Sequence, residues 1–176
     1  MSLPQTYNDN QLIQLYINNI KTRTREDRVD HVWTQILRFY WPITANYGIE
    51  REPYAAENAR TKADVVLTTM SMNKIVKCVF VECKRHNADI ENSDWDSSKA
   101  QLERFIRRWE ERSPTQVIYG LLCIGHSVRF YYMPQFKDKL VDFKTKDLTL
   151  SIQDNATEVD MILREIRELI AIEYHV

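Results

Sequence analysis

Glycine and proline are scarce in this chain, with three Gly and five Pro in 176 residues. No Gly/Ser-rich or Pro-rich run separates two halves and no internal repeat is visible, so the sequence offers no linker and one unit is expected. Long apolar runs are missing too. None approaches the roughly 20 residues of a membrane-spanning helix, and "MSLPQTYNDNQ" lacks the basic start and apolar centre of a signal peptide. The expected setting is soluble and intracellular, in nucleus or cytoplasm, with no membrane partner. Cysteine is limited to Cys78, Cys83 and Cys123. Three thiols cannot all pair, each lies in an apolar strand-like segment where it acts as a small hydrophobe, and no Cys/His spacing suggests structural zinc. A basic excess is also absent: 24 Lys and Arg stand against 25 Asp and Glu, a net charge of −1. That excludes a surface coated in positive charge for gripping nucleic acid, but leaves room for a local basic stripe.

What is present suffices for a core, since 44% of residues are hydrophobic and 28% charged, near globular averages. Residues 9–21 and, more strongly, 25–41 repeat apolar positions at helical spacing, the second through Val29, Trp33, Ile36, Leu37 and Tyr40. Residues 43–54 read as an irregular strand interrupted by Gly48 and closed by Pro53, followed by better strands at 64–70 and 75–83. The acidic stretch "RHNADIENSDWDSS" reads as a loop, and "KAQLERFIRRWEER" as a helix ended by Pro114. "QVIYGLLCIG" and "HSVRFYYM" read as strands joined at Gly125, and 157–173 as a final helix with Thr157 and Asp160 as a capping box. The order α-α-β-β-β-α-β-β-α describes a mixed α/β sandwich with a central sheet.

The charges at the strand ends carry the chemistry. Only "SMNK" separates the strands at 64–70 and 75–83, so they pair antiparallel. A turn of three or five residues around Asn73 sets Asp64 opposite Glu82, whereas a two-residue turn sets Asp64 opposite Val81 and divides the carboxylates between the faces. Alternation places Glu82 and Lys84 on one face and Cys83 on the other. In the first register Asp64, Glu82 and Lys84 converge at one sheet edge. Two facing carboxylates repel and raise each other's pKa unless a cation lies between them.

Asp64, then Glu82-Cys83-Lys84 at the end of an apolar strand, then a helix carrying Gln101, resembles the PD-(D/E)XK nuclease superfamily across about residues 25–133. "YGLLCIGHSVRFYYM" is similar to the strand pair that follows the catalytic helix in many members. Ala63 stands where many members carry proline. The resemblance implies a restriction-endonuclease-like α/β/α sandwich with a central mixed sheet of about five strands. It also implies a single domain, with residues 1–24 as a helical extension, 25–133 as the core and 134–176 as a C-terminal extension and helix. It further implies Mg²⁺ or Mn²⁺ held by Asp64, Glu82 and the backbone carbonyl of Cys83. Glu26, near the apolar face of its helix, is a further candidate ligand; His31 would matter only if the chain resembled the viral cap-snatching endonucleases, which add a helix-borne histidine to this same site.

By the same resemblance Lys84 orients or deprotonates the attacking water or stabilises charge on the phosphate, and Gln101 positions Lys84 or the substrate. Arg104, Arg108 and Arg112 follow at four-residue steps on the helix, with Arg85 and Lys62 nearby, as a candidate nucleic-acid stripe. The acids Asp89, Glu91, Asp94 and Asp96 oppose that reading locally. Phe130, Tyr131 and Tyr132 fit sheet packing better than base stacking. Metal-dependent hydrolysis of DNA or RNA is the expected function, and a catalytically inactive module binding protein or nucleic acid is the alternative. Many relatives dimerise, so a homodimer is among the assemblies the resemblance allows.

Overall fold

A computed structural model of the chain describes residues 6–21, 25–52, 62–85, 90–109 and 115–174. Among these residues a seven-stranded sheet is flanked by four α-helices. The chain enters through a short 3-10 turn and α1 (Gln11–Asn18), then α2 (Glu26–Tyr40). The sheet follows as β1 (Tyr47–Arg51), β2 (Val65–Ser71) and β3 (Lys74–Lys84). After α3 (Asn92–Arg108) come β4 (Ile118–Ile124), β5 (Ser127–Met133), the two-residue strands β6 (Val141–Asp142) and β7 (Leu150–Ser151), and α4 (Ala156–Tyr174). The spatial order is β1-β2-β3-β4-β5-β6, with β7 also paired to β5. β3 and β4 run parallel and all other pairs antiparallel. Parallel neighbours need a crossover, which α3 supplies.

Both sheet faces are covered. Val65, Leu67, Val79, Val81 and Cys123 pack into one core with Trp33, Ile36 and Leu37 of α2 and Leu163 and Ile166 of α4. Val66, Phe80, Ile118 and Leu122 face the other way, toward Trp95, Leu102, Phe105 and Ile106 of α3. A Cβ on Gly120 would stand 3.0 Å from Leu102 Cδ2 and 3.3 Å from Leu140 Cδ2, so the bare backbone there lets α3 sit close. No helix among the described residues is long and apolar enough to cross a membrane.

Four expectations are corrected. The acidic stretch read as a loop contains the first turns of α3, seven residues before the expected start: the Glu91 amide donates to Asp94 Oδ2 at 3.1 Å, and Trp95 is buried. α4 begins at Ala156, so Thr157 does not cap it, and Asp160 turns inward to accept from Arg164 Nε at 2.8 Å and from the Tyr40 hydroxyl. The sheet has seven strands rather than about five, because the two short ones after β5 carry no periodicity.

The fourth correction concerns the β2–β3 turn. It has two central residues, Met72 and Asn73, at φ 49° and 61°, and Ser71 pairs with Lys74. Continued regularly, that pairing would set Asp64 opposite Val81. A bulge intervenes: Thr68 pairs with Lys77 but Leu67 with Val79, leaving Cys78 as the extra residue. Beyond it Val65 pairs with Val81, and the next position brings Asp64 level with Glu82. The expected register is reached by a different route.

Candidate metal centre and phosphate cleft

The site forms where β3 and β4 end, the edge at which open α/β sheets commonly bind ligands. Asp64 lies one residue before β2, and its carbonyl accepts from the Glu52 amide at 3.0 Å. Its Oδ2 accepts from the Cys83 backbone N–H at 2.6 Å, which ties the first acid to the strand carrying the second. Glu82 is only 2% exposed and accepts from Lys84 Nζ at 2.5 Å through Oε1. Cys83 thus meets the site through its backbone, while its thiol lies on the opposite face, hydrogen-bonded to that of Cys123, its register partner on β4.

These groups share charge. Burial and then the charge of Asp64 push the Glu82 carboxyl up to about 7, with Lys84 pulling the other way. Burial also raises Asp64, opposed by the Cys83 amide and Lys84 and reinforced by Glu26 and Asp30. For Lys84, burial favours loss of the proton, but Glu82, Glu26 and Asp64 outweigh it and raise its pKa. Glu26, in the first turn of α2, therefore feels all three motif residues.

Two clefts open from this centre and share Glu26 and Arg85. One, about 500 Å³, is lined by Asp64 together with Asp27, Asp30 and Glu52. The other, about 330 Å³, runs between the end of β3 and α3, where Lys84 faces Ser97, Ser98, Gln101 and Arg104. Gln101 has no side-chain hydrogen bond among the described residues, and neither Arg85 nor Arg104 has an ion pair among them. Arg108 lies one turn further along α3 and does not line the cleft. Lys62 donates to Glu52 at 3.1 Å, and Arg112 lies outside the described residues. Phe130 and Tyr131 are 6% and 1% exposed, which removes them as stacking platforms. Asp94 lines the α3 cleft as a cap residue, so the acid expected to repel phosphate is partly engaged by backbone.

Sequence reasoning missed Asp30, which lies buried one turn after Glu26 and is gripped by Arg51 Nη2 of β1 at 2.9 and 2.7 Å. The i, i+4 step from Glu26 was a visible signal; the pairing of β1 with α2 was not. His31 lies 3.9 Å from Asp30 and lines neither cleft.

The donor set fits a hard divalent cation. Asp64 and Glu82 bring carboxylate oxygens from neighbouring strands to one edge, where burial, first of all, raises both pKa values. No ready group of three or more His, Cys, Asp or Glu ligands stands together among the described residues. Mg²⁺ keeps several waters and is commonly held by one or two carboxylates together with substrate phosphates, a range that includes a pair of acids. No family model, curated protein or solved structure matches this chain.

Proposed function

We propose that the protein is a metal-dependent nuclease of the PD-(D/E)XK type, built on a restriction-endonuclease-like fold and hydrolysing phosphodiester bonds of DNA or RNA. The observation that carries this reading is the bulge-set register, which brings Asp64 level with Glu82 and beside Lys84 at the edge of a cleft lined by Arg85 and Arg104. Asp64 and Glu82 would hold Mg²⁺ or Mn²⁺, with Glu26 and the Cys83 carbonyl as candidate further donors. A bound ion there supplies an acidified water and charge neutralisation on the phosphate.

The protein's own groups do the rest. The Cys83 amide holds Asp64 in place, and burial keeps bulk water from Glu82. Lys84, released from Glu82, aligns the attacking water or faces the phosphate. Gln101 and Arg104 orient the substrate from α3, and Arg85 adds charge at the mouth.

The test is incubation with single- and double-stranded DNA and RNA in Mg²⁺, Mn²⁺ or EDTA, beside Asp64→Ala and Lys84→Ala. Cleavage is expected only with metal and in neither variant. Cleavage that survives both substitutions would belong to a contaminant. Mn²⁺ binding lost in Asp64→Ala, with no cleavage of any substrate, would replace the enzyme with the inactive binding module.

A further inference from the structure

On the nuclease reading, Asp30 is an acid placed to compete for the cation. It is 5% exposed, lies one turn along α2 from Glu26, and lines the same cleft of about 500 Å³ as Asp64. After burial, the charges of Glu26 and Asp30 help to raise the Asp64 carboxyl, so the two acids act on each other across that wall. A bare carboxylate there would draw a cation toward α2 and away from the edge where Asp64 and Glu82 meet. Asp30 is not bare. Arg51 Nη2 donates to both of its oxygens, at 2.9 and 2.7 Å, while His31 stands further off at 3.9 Å.

Arg51 reaches Asp30 because of where β1 ends. It pairs with Val65 on β2, and the next residue, Glu52, donates its amide to the Asp64 carbonyl. Arg51 therefore occupies the rung beside the first motif acid, and its guanidinium crosses from the sheet to α2. A buried carboxylate stays ionised only when paired, so a tie between β1 and α2 is one consequence. The contact does more than tie. A single nitrogen bridges both Asp30 oxygens, the position that a cation chelated by a bidentate carboxylate takes.

We infer, resting on the nuclease reading, that Arg51 is a positioning residue of the metal centre: by occupying Asp30 it withholds a competing acid, so that the cation is held by Asp64 with Glu82. The Asp30–Arg51 pair is neutral as it stands, and removing either half leaves a charge of opposite sign on the cleft wall. Arg51 is itself half-exposed, so that charge acts through a wet medium. A unit charge acting on a dication under such conditions changes its affinity by about fivefold.

Mn²⁺ affinity is measured by calorimetry at pH 8 on the full chain without nucleic acid, and cleavage in Mn²⁺ is then assayed for the same proteins. Arg51→Gln bares Asp30 and should tighten Mn²⁺ binding by about fivefold while lowering cleavage by about tenfold or more, because the ion is misplaced. Asp30→Asn leaves an unbalanced guanidinium and should weaken binding by about fivefold. The double variant Asp30→Asn/Arg51→Gln, neutral again, should bind like wild type, and so should Arg51→Lys, which keeps the charge. A tie serving packing alone would instead lower affinity and cleavage together in both single variants, and the double would not mend it. Weaker binding in Arg51→Gln, or a double variant displaced from wild type, would overturn the inference, and wild-type cleavage would still stand for the nuclease. The expected order of affinities with no cleavage by wild type would do the reverse, sustaining the role of Arg51 and removing the nuclease. Should Arg51→Gln not fold, Asp30→Asn against the double variant decides by the same sign: restored affinity in the double supports the inference, and equal or weaker affinity overturns it.

Discussion

Glu82 holds its proton far longer in the folded protein than an ordinary glutamate, because it is buried and faces the charge of Asp64. Its folded value of about 7 lies above its ordinary 4.5, so between those limits the native state binds more protons than the unfolded chain. Stability therefore falls as pH rises from about 4.5 through 7, and the metal-free protein gives up about 3 kcal/mol at this one group. Asp64 shifts the same way and adds to the slope. Lys84, raised instead, contributes stability below its ordinary value and loses it only in strong alkali, outside this window. Glu82→Gln should thus flatten the decline and make the apo protein more stable than wild type at pH 8, read by urea unfolding at pH 5 and pH 8. A wild-type stability that rises over that interval relative to the variant would contradict the burial argument. Glu82 and Lys84 were legible in the sequence as one face because strand alternation assigns them to it, whereas the level of Asp64 depended on the hairpin register, which the bulge at Cys78 sets. Asp30 and its guanidinium partner Arg51 were not legible, since only tertiary packing brings α2 against β1.

At the scale of elements, the β2–β3 hairpin shows why a correct register can be read through an incorrect turn. The positions of the acids satisfied a turn of three or five residues, yet the hairpin closes over Met72 and Asn73, both with positive φ. Turns of this kind match strand twist and favour Asn-Gly. Cys78 then makes up the missing residue as a bulge, its Sγ directed to the Leu67 carbonyl at 3.4 Å. Nothing in "KIVKCVFV" marks Cys78 as extra, because every neighbour is equally suited to a strand. Helix α3 failed differently: Asn92, Ser93 and Asp94 read as loop residues since their side chains compete for backbone, and here they serve the helix start instead. The turn itself can be improved. Met72 is 92% exposed, so its side chain contributes no burial, while a left-handed conformation costs a non-glycine residue about 1–2 kcal/mol. Met72→Asn combined with Asn73→Gly should raise unfolding stability by about 1 kcal/mol. A loss of stability in chemical denaturation would show that the turn is not the strained form seen here.

For the whole molecule, the acids are affordable because stability is supplied elsewhere. α2 carries Glu26 at one end and at the other Tyr40, whose hydroxyl donates to Asp160 of α4, itself paired with Arg164. That clasp joins two helices on one face of the sheet, while α3 on the opposite face brings Gln101 and Arg104 to the same edge. The layered order of helices and strands was legible from periodicity; the meeting of both helix layers at one sheet edge was not, because it depends on how β3, α3 and β4 close their crossover. The arrangement separates scaffold from site, and a cation can tell them apart. A ligand bound only by the folded state at a hundredfold excess over its Kd stabilises by about 2.7 kcal/mol, and in a chain of this size each kcal/mol moves Tm by about 2–4 °C. Saturating Mn²⁺ should therefore raise the wild-type Tm by about 5–10 °C at pH 8, above the Glu82 value of about 7. Asp64→Asn should lose that shift while melting no lower than the wild-type apo protein, because it removes a repulsive charge. Asp160→Asn should melt several degrees lower, since the Tyr40 and Arg164 contacts weaken, yet keep the full Mn²⁺ shift. If Asp64→Asn retained the shift, the ion would be held elsewhere; if Asp160→Asn lost it, the edge and the helix clasp would be one cooperative unit, and the division of labour drawn here between α2's two ends would fail.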